Sequence, residues 1–86
     1  MKALIISFKS RNSVQLFAKI LKTHSIPAEI TNTPRSISVS CGLSVKTSYS
    51  FLPIVFKLVQ SSNLAGFIGI YLLEKYGLRE KTERIY

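Results

Sequence analysis

The chain has a single cysteine, Cys41, whose surroundings favour thiol chemistry. Arg35 precedes it in the same polar segment, and its guanidinium is a permanent cation with a bidentate fork of donors. A nearby cation and hydrogen-bond donors stabilise a thiolate, so these residue types favour a lowered pKa for the thiol. The segment therefore predicts a reactive cysteine in a polar loop.

Other residues of the segment suit the same chemistry. Pro34 fixes one φ angle and stiffens the entry to the loop. Gly42 has no Cβ, which lets a ligand or another backbone approach the sulfur. Hydroxyl groups that could donate to an anion come from three serines: Ser36, Ser38 and Ser40.

A structural interpretation of Cys41 stays open beside the chemical one. Cys41, Leu43 and Val45 alternate with small or polar residues, which indicates a strand with the thiol on its buried face. Cys41 would then be a small core side chain, and the serines would be ordinary polar groups of a hairpin. The residue types alone favour this second interpretation.

The composition excludes most other site chemistry. The chain has no aspartate, so a Ser-His-Asp set is impossible, and its four glutamates show no spacing typical of an acid/base pair. His24, the only histidine, falls at the end of a predicted helix, where a cation suits the helix dipole. The scattered glycines form no phosphate loop. We expect neither a metal nor a cofactor, and a binding protein more than a stand-alone enzyme.

Charge gives a general indication of the partner. Twelve basic residues against four acidic ones give a formal net charge of +8, which favours anionic partners. The charge is spread along the chain, and the aromatic pattern of sheet-based RNA binders is absent. Nucleic-acid binding is therefore the least favoured alternative.

The lengths of the apolar segments argue against a secretion signal and against a membrane-spanning helix. The apolar run in Lys2–Phe8 is too short for the core of a secretion signal. The apolar stretch Leu64–Leu73 has about half of the roughly 20 apolar residues that a membrane-spanning helix needs. We expect a cytoplasmic protein without membrane association, in which Cys41 stays a thiol.

The pattern of apolar residues predicts alternating strands and helices, and the apolar residues within Val14–Leu21 recur at helical spacing as one stripe of the first helix. Leu4, Ile5 and Ile6 place apolar groups on both faces of a first strand, which is typical of a central strand. Ser10 is a suitable N-cap for the next helix, and the glycines of the last strand indicate a bulge or a close backbone approach. The predicted order is strand Lys2–Phe8, helix Arg11–His24, strand Ala28–Asn32, strand Cys41–Ser48, a second helix capped by Ser50, and strand Gly66–Leu73.

This β-α-β-β-α-β order predicts an α+β fold of the ferredoxin-like kind, with a four-stranded antiparallel sheet and two helices on one face. Residues 1–76 are expected to form the single domain. The charged C-terminal tail, 77–86, is expected to be a short solvated helix or disordered. The helix-free face of the sheet would be apolar and bare, which favours a homo-oligomer.

Several motifs between Lys2 and Val45 resemble those of a known family. The motifs are Phe8-Lys9-Ser10, Ser25-Ile26-Pro27-Ala28, Thr33-Pro34-Arg35-Ser36-Ile37-Ser38 and Ser40-Cys41-Gly42-Leu43. They are similar to those of the selenium/sulfur carrier protein-like family of small bacterial proteins. The chain departs from the family at Asn32-Thr33, where a second proline is common, and this makes the entry to the loop less rigid.

The resemblance implies a carrier function. Cys41 would accept sulfur or selenium as a persulfide or perselenide from a protein donor and pass it to a protein acceptor. Arg35, Ser36 and Ser38 would position or stabilise the anionic chalcogen. A single thiol suits a relay, since disulfide exchange within one chain needs two thiols. The alternative is a non-enzymatic module that oligomerises through its sheet, with Cys41 in the core.

Overall fold

A computed structural model describes residues 2–34, 37 and 42–86 of the chain. Its helices and strands follow the predicted order, and one further strand comes after them. The elements are β1 (Lys2–Phe8), α1 (Arg11–Thr23), β2 (Glu29–Asn32), β3 (Leu43–Ser48), a 3-10 turn (Tyr49–Phe51), α2 (Leu52–Ser62), β4 (Phe67–Tyr76) and β5 (Arg79–Arg84).

The strands form one antiparallel sheet in the order β2-β3-β1-β4-β5. The prediction of four strands is wrong, because residues 79–84 pair with β4 instead of forming a solvated helix or a disordered tail. Gly77, at φ 60, allows the tight connection between β4 and β5. Opposite charges then face each other across the pair, with Lys75 Nζ 3.9 Å from Glu80 Oε2.

Both helices pack on one face of the sheet, called here the helix face. The buried residues of this core are Leu4, Ile6, Phe8, Val14, Phe17, Ala18, Leu21, Ile26, Val45, Val55, Val59 and Ile70. The predicted apolar stripe of α1 is confirmed, but Leu16 is 47% exposed, and Ile54 of α2 is also exposed. Every residue from Ala3 to Phe8 is buried, which confirms that β1 is a central strand.

The ends of the two helices follow from local sequence. The Ser10 hydroxyl caps α1 by accepting a hydrogen bond from the backbone N–H of Ser13 at 3.5 Å. Helix α2 begins at Leu52 and not after Ser50, because Ser50 lies within the 3-10 turn. Asn63 ends α2 in the left-handed conformation, at φ 50. Among the described residues, no helix combines the length and apolar character that crossing a membrane requires.

The opposite face of the sheet, called here the loop face, has a cover of its own. Ile37, from the connection between β2 and β3, packs against Ala3, Ile5 and Leu73 and is 4% exposed. Tyr71 packs beside this cluster. The expectation of a bare apolar face is therefore wrong at its centre, because the chain folds back over it.

Candidate functional site

The connection between β2 and β3, residues 33–42, carries the predicted site. Five of the predicted site residues lie outside the described residues: Arg35, Ser36, Ser38, Ser40 and Cys41. Gly42 is described and exposed. Together with Thr33, Pro34 and Ile37, it defines how this connection is attached to the sheet.

Thr33 and Gly42 form the base of the connection. The backbone N–H of Thr33 donates to the carbonyl oxygen of Gly42 at 2.8 Å, just beyond the β2–β3 pairing. Gly42 has a φ of 77, in the left-handed region that favours glycine. A Cβ at this position would meet no atom of the described residues within 4 Å. The backbone angle therefore accounts for the glycine that follows Cys41.

Ile37 anchors the middle of the connection. Its backbone N–H donates to the carbonyl oxygen of Pro34 at 2.9 Å, which closes a turn. Its side chain is buried on the loop face, and burial of an isoleucine side chain stabilises by about 1.5–3 kcal/mol. One aliphatic side chain thus holds this part of the connection against the sheet.

A chain of three hydroxyl groups, called here the hydroxyl chain, links the base of the connection to the central strand. Ser44 Oγ lies 2.7 Å from Thr33 Oγ1 and 2.9 Å from Ser7 Oγ. Ser7 and Ser44 are fully buried, and they are opposite each other in the β1–β3 pairing. The bonds satisfy two hydroxyls that would otherwise be costly inside the fold.

The burial of Ser7 favours one direction for the protons of the hydroxyl chain. Three hydroxyls have three protons, and the two bonds use two of them. An unused proton on fully buried Ser7 would cost about 1–3 kcal/mol, so Ser7 is the favoured donor to Ser44, and Ser44 to Thr33. The third proton is then on half-buried Thr33, at the base of the connection.

Sequence reasoning missed the hydroxyl chain. The available signal is a serine inside the apolar run Leu4–Phe8, because a buried hydroxyl needs a hydrogen-bond partner. The partner itself depends on the register of β1 and β3, which places Ser44 opposite Ser7. Local sequence does not fix that register.

Arg84, the last residue of β5, places a cation at the same end of the loop face. Its Nη2 donates to the carbonyl oxygen of Ile68 at 2.9 Å, and its Nε donates to that of Tyr86 at 3.3 Å. A Cβ on Gly69 would lie 3.1 Å from this Nε, so the glycine leaves room for the guanidinium. The predicted close backbone approach is found at Gly66, where a Cβ would lie 3.3 Å from the Lys9 backbone nitrogen, and the β1–β4 pairing shifts its register just after Ser7, which is opposite Gly69.

A shallow cleft on the loop face borders Pro34. It is lined by Ile5, Thr31, Asn32, Thr33, Pro34, Lys46, Leu73, Lys75 and Glu80. The larger surface depression lies at the other end of β1, around Lys2 and Ser48. The cleft beside Pro34 has charged walls, which suit contact with a polar protein surface better than an apolar small ligand.

Side chains that could bind a metal do not gather in the described part of the chain. No group of three or more His, Cys, Asp or Glu residues lies together among the described residues. His24 is exposed at the end of α1, where its backbone N–H donates to the Leu21 carbonyl oxygen at 3.1 Å. His24 is the C-cap residue of α1, which confirms its predicted position at the end of the helix.

The fold and the connection 33–42 together define a small α+β protein with one cysteine between two neighbouring strands. The family model described as "Putative Se/S carrier protein-like" matches residues 3–71. The match runs from β1 into β4 and includes the connection, and the chain belongs to this family. Strand β5 lies beyond the matched residues. No curated protein and no solved structure matched the chain.

Proposed function

We propose that this protein carries sulfur or selenium on Cys41 and passes it to partner proteins. The observation that carries the proposal is the family match, which includes the connection 33–42 and its cysteine. The attachment of that connection at Ile37 and at the Thr33–Gly42 pair supports it. A carrier thiol must meet its donor and its acceptor in a defined orientation, and a fixed attachment favours this.

The proposed transfer is an exchange at sulfur. The thiolate of Cys41 attacks the outer sulfur of a persulfide on a donor protein, and a new S–S bond forms at Cys41. The S–S bond of the donor breaks, and the donor cysteine leaves as a thiolate. The outer sulfur keeps its oxidation state, so the step consumes no oxidant or reductant. A second exchange with an acceptor thiolate regenerates the Cys41 thiolate, and selenium would follow the same course as a perselenide.

The neighbouring residues stabilise the anion in this proposal. Arg35 supplies a cation for the terminal sulfur, and Gly42 leaves the approach to that sulfur without a Cβ. The hydroxyl donors are Thr33, Ser36, Ser38 and Ser40. The cation and the donors would lower the pKa of the Cys41 thiol from its ordinary value of about 8.5.

Intact mass spectrometry tests the carrier function. The wild type and Cys41→Ser are each incubated with a cysteine desulfurase and cysteine. We expect the wild type alone to gain the mass of one sulfur atom, and a reductant to remove it. Alkylation of the wild type should also proceed well below pH 8.5. A wild type that gains no sulfur, or a variant that gains as much, would contradict the proposal.

The order of the strands and helices supports a more specific assignment of the fold. We assign β1 to β4 with α1 and α2 as a ferredoxin-like core, to which β5 adds an edge strand. A cytoplasmic setting would keep the carrier thiol reduced between transfers. Homo-oligomer formation through the sheet stays a separate prediction, which sedimentation velocity tests. The cover that Ile37 provides weakens its physical basis.

A further inference from the structure

Cations lie without matching acids at one end of the sheet. This end, called here the loop end, is where β1 finishes and where β3 begins next to Gly42. Lys9 and Arg11 follow β1, and Arg84 finishes β5 at the same end. Lys9 and Arg11 are exposed and have no ion pair with any described residue. These three residues are called here the basic rim.

The acidic residues have a different placement. Glu29 lies opposite Lys46, and Glu80 lies opposite Lys75. Glu74 faces a lysine on each side, Lys2 on β1 and Lys81 on β5.

The remaining glutamate, Glu83, lies opposite Leu72 within β5, so none of the four lies in the connections of the loop end. The sheet thus compensates its lysines along the strands and leaves Lys9 and Arg11 of the basic rim without an acidic partner among the described residues.

The backbone that carries the first two cations of the basic rim is fixed. The backbone N–H of Lys9 donates to the Gly66 carbonyl oxygen at 2.7 Å, and Ser13 Oγ donates to the Ala65 carbonyl oxygen at 2.8 Å. These bonds tie the β1–α1 connection to the α2–β4 connection. A cation on such a backbone loses less conformational freedom when it binds.

The charge of Arg11 is unfavourable for the helix that this residue begins. Arg11 lies in the first turn of α1, which contains no acidic residue. A positive charge there opposes the helix dipole, which favours anions at this end. Stability alone would place an acid at this position, and local rules of this kind are broken at functional sites.

We propose that the basic rim, Lys9, Arg11 and Arg84, docks an acidic patch of the protein that donates or accepts the chalcogen. Charge complementarity identifies the partner surface, because cations without acids attract carboxylates and speed association. The location identifies the partner, since the basic rim and the connection that contains Cys41 leave the sheet at the same end. The proposal rests on the proposed function only for the identity of this partner.

The observations favour a protein over a nucleic acid. Single-stranded nucleic acids bind where aromatic side chains stack on bases beside the cations. Of the exposed tyrosines among the described residues, Tyr49 and Tyr76 lie toward the opposite end of the sheet. Tyr86, at the loop end, packs against Phe56 with ring centroids 4.4 Å apart. Beside the basic rim, the described residues therefore offer one partly exposed tyrosine, packed against Phe56 and Phe67, instead of a row of free aromatic rings on which successive bases could stack.

Fluorescence anisotropy with two labelled probes tests the docking surface. The probes are a glutamate-rich peptide and a single-stranded RNA of equal charge, each titrated at about 0.1 M salt. The proteins are the wild type, Lys9→Glu/Arg11→Glu, and the matched control Lys19→Glu/Lys22→Glu, which lies farther along the helix that Arg11 begins. Each pair of reversals lowers the net charge from +8 by the same four units, to +4, so only the location differs.

We expect Lys9→Glu/Arg11→Glu to bind the peptide roughly 10-fold or more weakly than the wild type. The control should lose about 2-fold at most, because Lys22 lies about 16 Å along the helix from Arg11, beyond a Debye length of roughly 10 Å at 0.1 M salt. Thermal unfolding should show that the first variant is no less stable, since acids at the start of α1 suit the helix dipole.

Equal losses in both variants, or no binding of the peptide by the wild type, would overturn the proposal. Tighter binding of the RNA with the same dependence on Lys9 and Arg11 would identify a nucleic-acid surface instead. Cys41→Ser should bind the peptide as the wild type does. A wild type that takes up no sulfur but still binds the peptide would reject the carrier function and leave the docking surface in place.

Discussion

The two faces of the sheet are covered in different ways. On the helix face, two helices bury large side chains such as Phe17 and Leu21 against β1. On the loop face, the described cover is a single side chain, Ile37, over a smaller cluster. The loop face also buries two hydroxyls opposite each other, at Ser7 and Ser44, whereas the helix face buries the hydroxyl of Thr47 among mainly aliphatic and aromatic groups. Stability therefore comes mainly from one face, while the other attaches the connection that carries the cysteine.

This difference separates the core that stabilises the fold from the connection that carries the candidate site. A core that two helices cover breaks only when the domain unfolds. The described part of the connection is held by the Ile37 side chain and the Thr33–Gly42 hydrogen bond, and so small an attachment can open locally. The proposed carrier function would benefit from that separation, because it requires the thiol to be presented to two partners without unfolding of the sheet. Substitutions on the two faces should therefore differ in size and in the kind of opening that they cause.

The largest effect is expected on the helix face, for Phe17→Ala. Phe17 is fully buried, and its ring centroid lies 5.5 Å from that of Phe8. The loss of transfer free energy and the resulting cavity should lower the free energy of unfolding by about 3–5 kcal/mol. Urea denaturation followed by circular dichroism measures this change.

A matched substitution on the same helix provides the control for Phe17→Ala. Leu16 is 47% exposed, so Leu16→Ala should change the free energy of unfolding by about 0.5 kcal/mol or less. Similar losses at the two positions would mean that α1 does not cover the sheet as described.

A smaller and more local effect is expected for Ile37→Ala on the loop face. The change removes three buried carbons at about 0.8 kcal/mol each, so the attachment should weaken by about 2 kcal/mol. Because 1.4 kcal/mol is a factor of ten, the open population of the connection should rise roughly 30-fold. Amide hydrogen exchange at position 37, whose N–H bonds to the Pro34 carbonyl, measures this opening.

An exposed isoleucine on a neighbouring strand provides the control for Ile37→Ala. Ile30 of β2 is 44% exposed, and Ile30→Ala should leave exchange at position 37 close to that of the wild type. Unchanged exchange in Ile37→Ala itself would show that a single anchor does not hold the connection.

The hydroxyl chain allows a test of how much its hydrogen bonds stabilise the buried polar groups of the loop face. Ser44→Ala removes both of its hydrogen bonds and leaves Ser7 without its partner, which should cost about 1–2 kcal/mol. The double variant Ser7→Ala/Ser44→Ala should recover part of this loss, because no orphaned hydroxyl stays buried. A double-mutant cycle from chemical denaturation measures the coupling. Strictly additive losses would contradict the shared bond.

Sequence patterns predicted the helix face better than the loop face. The apolar stripe Val14–Leu21 and the run Leu4–Phe8 are local signals of a helix and of a central strand, and both are confirmed. The cover by Ile37 depends on a contact between residues far apart in the chain, and no local pattern reports such a contact. The roles of Cys41 and Arg35 stay predictions.

Strand β5 marks another limit of sequence reasoning. Its dense charge is typical of a solvated tail, but each charged side chain of a hairpin edge strand can be satisfied by its cross-strand neighbour. Gly77 was the available signal for a hairpin, since its positive φ suits a tight turn. The prediction from the sequence therefore underestimated strand pairing between two charged segments.

The smallest effect on stability is expected at the end of β4, which neither the helices nor Ile37 covers. There the hydroxyl of Tyr76 donates to Glu74 Oε2. This hydrogen bond, together with the negative charge of Glu74, raises the pKa of Tyr76 above its ordinary value of 10.0. The folded state therefore holds the phenol proton more tightly than the unfolded state, and the stabilisation is present below pH 10.0 and lost as the pH rises through the folded pKa.

Ultraviolet titration of the tyrosinates should show one group shifted to lower pH in Glu74→Gln, with little change in stability at neutral pH, because Tyr76 is exposed to solvent. An unchanged titration would show that the hydrogen bond between Tyr76 and Glu74 does not persist in solution. The end of β4 would then contribute less to the stability of the fold than either covered face of the sheet.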